Sequence, residues 1–143
     1  MIKSLEIRVF VHATEDKEKI VSSLKNIIKE DFNIIEEQYE GYYGNSILVI
    51  SSIIEGSKAE EILNNLLDSL SRPDKDELIK TFYDRIEEKN NTFHLRLNKQ
   101  KAYSGQLTLS DSDDVIKLIF KLENKFEIEK LKNLIIEKYN KVG

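Results

Sequence analysis

LEIRVFVHA, residues 5–13, decides how the rest of the chain is read. Leu5, Ile7, Val9, Val11 and Ala13 fall on one side, and Glu6, Arg8, Phe10 and His12 on the other. A period of two belongs to a half-buried strand, because successive side chains of an extended backbone leave it on opposite faces. The inner face is built for a core. The outer face carries a cation, an aromatic ring and an imidazole.

Working outward, Thr14 suits a helix N-cap, Glu15 and Asp16 favour the positive end of the dipole, and Ile20, Val21, Leu24, Ile27 and Ile28 recur at helical spacing. A strand is expected from Ile34 to Tyr39 and another from Ile47 to Ile54. Between them EGYYGN, residues 40–45, supplies turn residues, so the two form a hairpin. Ser57 and Glu60 read as a capping box ahead of a helix that buries Ala59, Ile62, Leu63, Leu66, Leu67 and Leu70. Pro73 opens a third helix with Leu78, Ile79, Phe82, Tyr83 and Ile86 inward. Strands resume at Phe93, Leu95 and Leu97, at Leu107 and Leu109, and at Ile116, Leu118, Phe120 and Leu122. A last helix from Asn124 buries Phe126, Leu131, Leu134 and Ile135.

Strands joined by tight turns pair antiparallel, and helices with one apolar stripe need one sheet face to cover. The expected fold is therefore α+β, a two-layer sandwich of a mainly antiparallel sheet with helices on one face. At 143 residues the chain fits a single domain, residues 1–143.

Composition narrows the function. There is no cysteine, which removes disulfides, thiolate zinc sites and thiol nucleophiles. The start of the chain has no secretory signal and no apolar run is long enough to span a bilayer, so the cytosol is expected and a membrane is not. A Gly-rich phosphate loop, a nucleophile elbow and a HExxH helix are missing, and no catalytic residue, metal site or cofactor is expected.

Charge is distributed unevenly. The net charge is −4, yet residues 89–110 contain no Asp or Glu. Alternation puts Arg8, Phe10, His12, His94, Arg96, Asn98, Thr108, Lys117, Ile119 and Lys121 on the outer face. A cationic platform with aromatic groups suits RNA, since Lys and Arg neutralise phosphates while rings stack on unpaired bases. The loop NKQKAYSG, residues 98–105, adds Lys99, Gln100, Lys101 and Tyr103 as a grip for a phosphate, and Tyr42 and Tyr43 stand in the EGYYGN turn. The same residues also fit ordinary solvated strands and loops. Phe10 and Ile119 also fit a protein-interaction or dimerisation module, with a second copy as partner. A third reading is a metal-dependent nuclease built on Asp113, Asp114 or Glu15 with His12.

Four segments together carry a resemblance: RVFVHATEDKEKI at residues 8–20, GYYGNSI at 41–47, LRLNKQKAYSGQL at 95–107 and DDVIKL at 113–118. They resemble the archaeal RNA-binding-domain family of predicted exosome subunits, whose fold is like that of the large-subunit ribosomal protein that binds 5S RNA. The resemblance implies a ribosomal-protein-like α+β fold, RNA as ligand, and the exosome or other RNA-processing proteins as partners. The family's motif positions fall on His12, Thr14, Glu15 and Asp16; on Gly41, Tyr43, Gly44 and Asn45; on Arg96, Lys99, Gln100 and Gly105; and on Asp114. The family often has His where this chain has Tyr42.

Overall fold

The computed structural model describes residues 1–41 and 43–141, so Tyr42 lies outside the described residues. In chain order the elements are β1 (Ile2–Val11), α1 (Lys17–Ile28), β2 (Ile35–Glu40), β3 (Ser46–Glu55), α2 (Ser57–Ser69) and α3 (Arg72–Lys80). After a 3-10 turn at Tyr83–Arg85 come β4 (Ile86–Glu87), β5 (Thr92–Asn98), α4 (Lys99–Tyr103), β6 (Val115–Leu122) and α5 (Glu127–Asn140). The strands form one antiparallel sheet in the order β2-β3-β1-β6-β5-β4, with β1 near its middle. None of the described helices is long and apolar enough to cross a membrane.

The alternation of β1 fixes the layers. Leu5, Ile7 and Val9 are buried, as are Leu95 and Leu97 of β5 and Ile116, Leu118 and Phe120 of β6. Ile20, Leu24 and Ile27 of α1, Leu63, Leu66 and Leu67 of α2, Leu78 of α3 and Leu131 and Ile135 of α5 join them in one cluster. Each such aliphatic side chain stabilises the fold by about 1.5–3 kcal/mol relative to exposure, so the helices are held to this face and the other is left uncovered.

Several expected elements take a different form. Asp16, not Thr14, caps α1, its carboxylate accepting from the Glu18 N–H. The capping box at Ser57 does not form, because Gly56 is the N-cap at φ 65° and the Glu60 carboxylate accepts from the Ile2 N–H instead. The third helix stops at Lys80, and Ile86 pairs with Phe93 in the short edge strand β4. Leu107 and Leu109 do not make a strand. Leu109 forms a single bridge to Leu97, flanked by bonds from Asn98 N to Thr108 O and from Ser110 N to Arg96 O. The outer edge of β5 is thus covered in two pieces, by β4 at one end and by this bridge at the other. Tyr83 and Phe126, both expected inside, are exposed.

Strand β2 forms the opposite edge. All six of its residues are exposed, three of them glutamates: Glu36, Glu37 and Glu40. Glu36 is paired with Lys17 of α1, and Glu37 accepts from the Tyr39 hydroxyl at 2.6 Å.

Candidate nucleic-acid interface

Register places the outer-face residues in rows across the sheet. Arg8 stands opposite Ser51 on one side and Lys117 on the other, and Lys117 stands opposite Arg96. Adjacent strands are about 4.8 Å apart, so three cations fall within about 10 Å. Like charges directly opposite one another destabilise a sheet. Among the described residues, none of the three forms an ion pair with a carboxylate. The row therefore holds uncompensated positive charge. Phe10 lies one row away, 38% exposed, with the Lys117 ammonium 5.7 Å from its ring centroid.

The next row contains Glu6, Ile119 and His94. His94 is half-buried. Its Nε2 lies 3.0 Å from the Thr92 hydroxyl and 3.7 Å from Glu87. Burial pushes the imidazole below its ordinary value, Glu87 works in the opposite direction, and Lys117 adds to the lowering. Towards β2 the face carries open apolar groups around one carboxylate: Ile53 is 57% exposed, Ile35 and Tyr39 are comparably open, and Glu37 stands between the last two. This apolar half was missed by following charge alone, although Ile53 follows from the alternation of β3.

The remaining predicted residues gather at one end of the sheet. Lys99 is not offered to solvent: it is 2% exposed, and its Nζ donates to Phe10 O at 2.8 Å, Glu15 Oε1 at 3.1 Å and Asp114 Oδ1 at 2.5 Å. Three protons thus have three acceptors, on β1, on the loop before α1 and on the approach to β6. The Lys99 contact holds the Asp114 carboxyl below its ordinary value, against a smaller opposing effect of burial. His12 is exposed with Nε2 3.5 Å from Asp114, so it turns towards this cluster. The expected loop after β5 is the short helix α4, capped by Asn98, whose side chain accepts from the Lys101 N–H. Helix α4 packs on α1, where Asn26 donates to Ala102 O and Tyr103 O. Gln100 and Tyr103 line a cleft of about 270 Å³ with Thr14, Glu15 and Lys19, away from the open face. Lys101 is exposed on the same short helix. Tyr43 is exposed beside a second cleft of about 470 Å³ that it shares with His12, Thr14, Gly41 and Asn45.

The segments that carry the family resemblance, far apart in sequence, therefore meet at this end. Their shared chemistry is an ion cluster around the buried Lys99, with Asp114 and His12 at its open side. The ligand atoms of His12, Glu15 and Asp114 all lie within 4.8 Å of one another, a spacing a metal ion can bridge. The Lys99 ammonium is already bonded to both carboxylates, and any metal would compete with it for them.

An antiparallel sheet roofed on one side by helices, with a cationic row on its open side, defines a two-layer α+β protein. The family described as RNA binding matches residues 4–122, and the chain belongs to it. A relative from Pyrococcus abyssi, named as an RNA-binding protein, is 37% identical over 84% of this chain and 81% of its own length. An uncharacterized protein of Methanocaldococcus jannaschii is 33% identical over 94% of this chain and 96% of its own. The crystal structure of a protein from Archaeoglobus fulgidus superimposes with a TM-score of 0.81 at 29% identity, covering 96% of this chain and 99% of that one.

Proposed function

We propose that this chain is a non-catalytic, cytosolic single-domain protein that binds single-stranded RNA across the open face of its sheet. The observation that carries the proposal is the row Arg8, Lys117 and Arg96, three cations in register without a carboxylate partner among the described residues. Such a row is unfavourable to the free protein and favourable to a polyanion, which is what a phosphate site requires. Phe10 beside it offers a ring for a base, and His94 adds a third kind of contact. Membership of the RNA-binding family and the name of the Pyrococcus abyssi relative support RNA as the ligand. RNA handled by the exosome or other processing proteins is the class this reading favours.

Binding of a labelled single strand, followed by anisotropy at several salt concentrations, tests the proposal. Loss of affinity on replacing Arg8 and Arg96 by Ala, with a shallower salt dependence, is expected; unchanged binding overturns it. A second reading rests on the apolar half of the same face. Ile53, Ile35 and Tyr39 favour a protein partner or a second copy, and such a contact would be insensitive to salt.

A further inference from the structure

At the end of the sheet opposite Lys99, an open cleft of about 1050 Å³ runs between the β4–β5 turn and the start of α5. Phe126 and Tyr83 line it together with Asn91, Asn124 and Lys125. Phe126, the N-cap of α5, is 72% exposed. Its ring has the Lys125 ammonium 5.4 Å from its centroid, and the Tyr83 ring has that of Lys132 at 4.4 Å. Two accessible rings and the Lys125 ammonium share one hollow.

We infer that this cleft binds one nucleotide of the RNA, its base stacked on Phe126 and its phosphate held by Lys125. The inference rests on the RNA reading above and extends it to a second contact. An apolar peptide side chain would strip water from the Lys125 ammonium and return nothing for it, whereas a nucleotide supplies a π face and an anion together. The amides serve the base edges. Asn124 uses its oxygen to accept from the Phe126 N–H, which leaves its NH₂ free, and the Asn91 side chain has no hydrogen-bond partner among the described residues. Glu129 is engaged by the Tyr83 hydroxyl at 2.6 Å. Glu88, with no partner for its carboxylate among the described residues, disfavours a second phosphate in the same hollow.

The cleft is also within reach of the cationic row. Four steps along β6 lead from Lys117 to Lys121, about 13 Å of strand. Lys121 stands opposite Thr92, the neighbour of Asn91. A strand laid along β6 thus passes from the row, over Lys121, to the cleft.

The test uses the intact chain, a single-stranded RNA of about ten nucleotides and free adenosine 5′-monophosphate as probes. Phe126→Ala removes an exposed ring and leaves no core cavity, so its circular dichroism and melting temperature should match the parent. The variant is expected to bind the RNA about ten-fold more weakly with an unchanged salt slope, because stacking releases no counterions. Adenosine monophosphate should shift the NMR signals of the Phe126 ring and of the Asn91 and Asn124 amides, and those shifts should vanish in Phe126→Ala. If Phe126→Ala binds RNA like the parent and the mononucleotide leaves the cleft signals in place, the cleft proposal is overturned, while weakened binding by Arg8 and Arg96 variants would leave the sheet-face reading intact. If instead the arginine variants bind normally and Phe126→Ala does not, the cleft stands and the sheet face does not.

Discussion

Replacing Lys117, the middle cation of the row, separates binding from folding. On a single strand, log K falls with log salt by about 0.7 for each phosphate neutralised, so the three cations of the row contribute about −2 to the slope. Between about 50 mM and about 200 mM salt, that slope weakens binding about 20-fold, whereas the two cations left in Lys117→Ala give about −1.4 and about a 7-fold loss. Stability should hardly move. The substitution relieves the opposition of Lys117 to Arg8 and Arg96 but forfeits its contact with the Phe10 ring, two effects of roughly 0.5 kcal/mol and opposite sign. The assay is a fluorescence-anisotropy titration at four or more salt concentrations, with a thermal melt of each variant alongside. A salt slope in Lys117→Ala as steep as the parent's, with the fold intact, would refute the assignment of the row to phosphates.

Three further outcomes follow from the same geometry. Lys99→Met leaves the Glu15 and Asp114 carboxylates without their ammonium. It should cost roughly 2–3 kcal/mol by urea unfolding, less than the cost of breaking a fully buried pair because Asp114 stays 52% exposed and rehydrates. Since the folded-state pKa of Asp114 is depressed, its contribution is present above the ordinary value of 3.8 and lost as pH falls through the lower folded value. Melting curves of Asp114→Asn should therefore be less stable than the parent at neutral pH and flatter below that point. His94 is depressed from 6.5, so its share of stability is whole above that value and declines as pH falls from it towards the folded pKa. An NMR titration should give His94 a pKa below 6.5 in the free protein, rising when RNA brings phosphates to Lys117.

The two layers were legible because β1, β5 and β6 alternate without interruption and because alternation is a local property. The same logic failed at Leu107 and Leu109, where two alternating leucines suffice for a pattern but the chain pairs with β5 through one bridge only. Phe126 and Tyr83 were assigned inward on hydrophobicity, yet each sits where an element begins, beyond the reach of the helical stripe. Arg8, Arg96 and Lys117 could be placed on one face from sequence, but their adjacency needed the register. Lys99 could not be read at all as an internal cation. Its partners Glu15 and Asp114 are 84 and 15 positions away, and no local pattern distinguishes a buried lysine from the exposed Lys101 two residues on.

The free edge of β2 bears on how the protein keeps its own company. Two copies meeting edge to edge would bring together the exposed carboxylates of Glu37 and Glu40 from each strand, and that repulsion opposes growth of the sheet by self-addition. The safeguard is chemical and not geometric: nothing in the backbone prevents pairing once the carboxylates are neutralised. Acidic storage, or replacement of these glutamates by glutamine, should therefore promote association through the sheet edge. A nucleic-acid-loaded copy would be exposed to the same hazard, because the strand lies beyond the cationic row and stays bare when that row is filled.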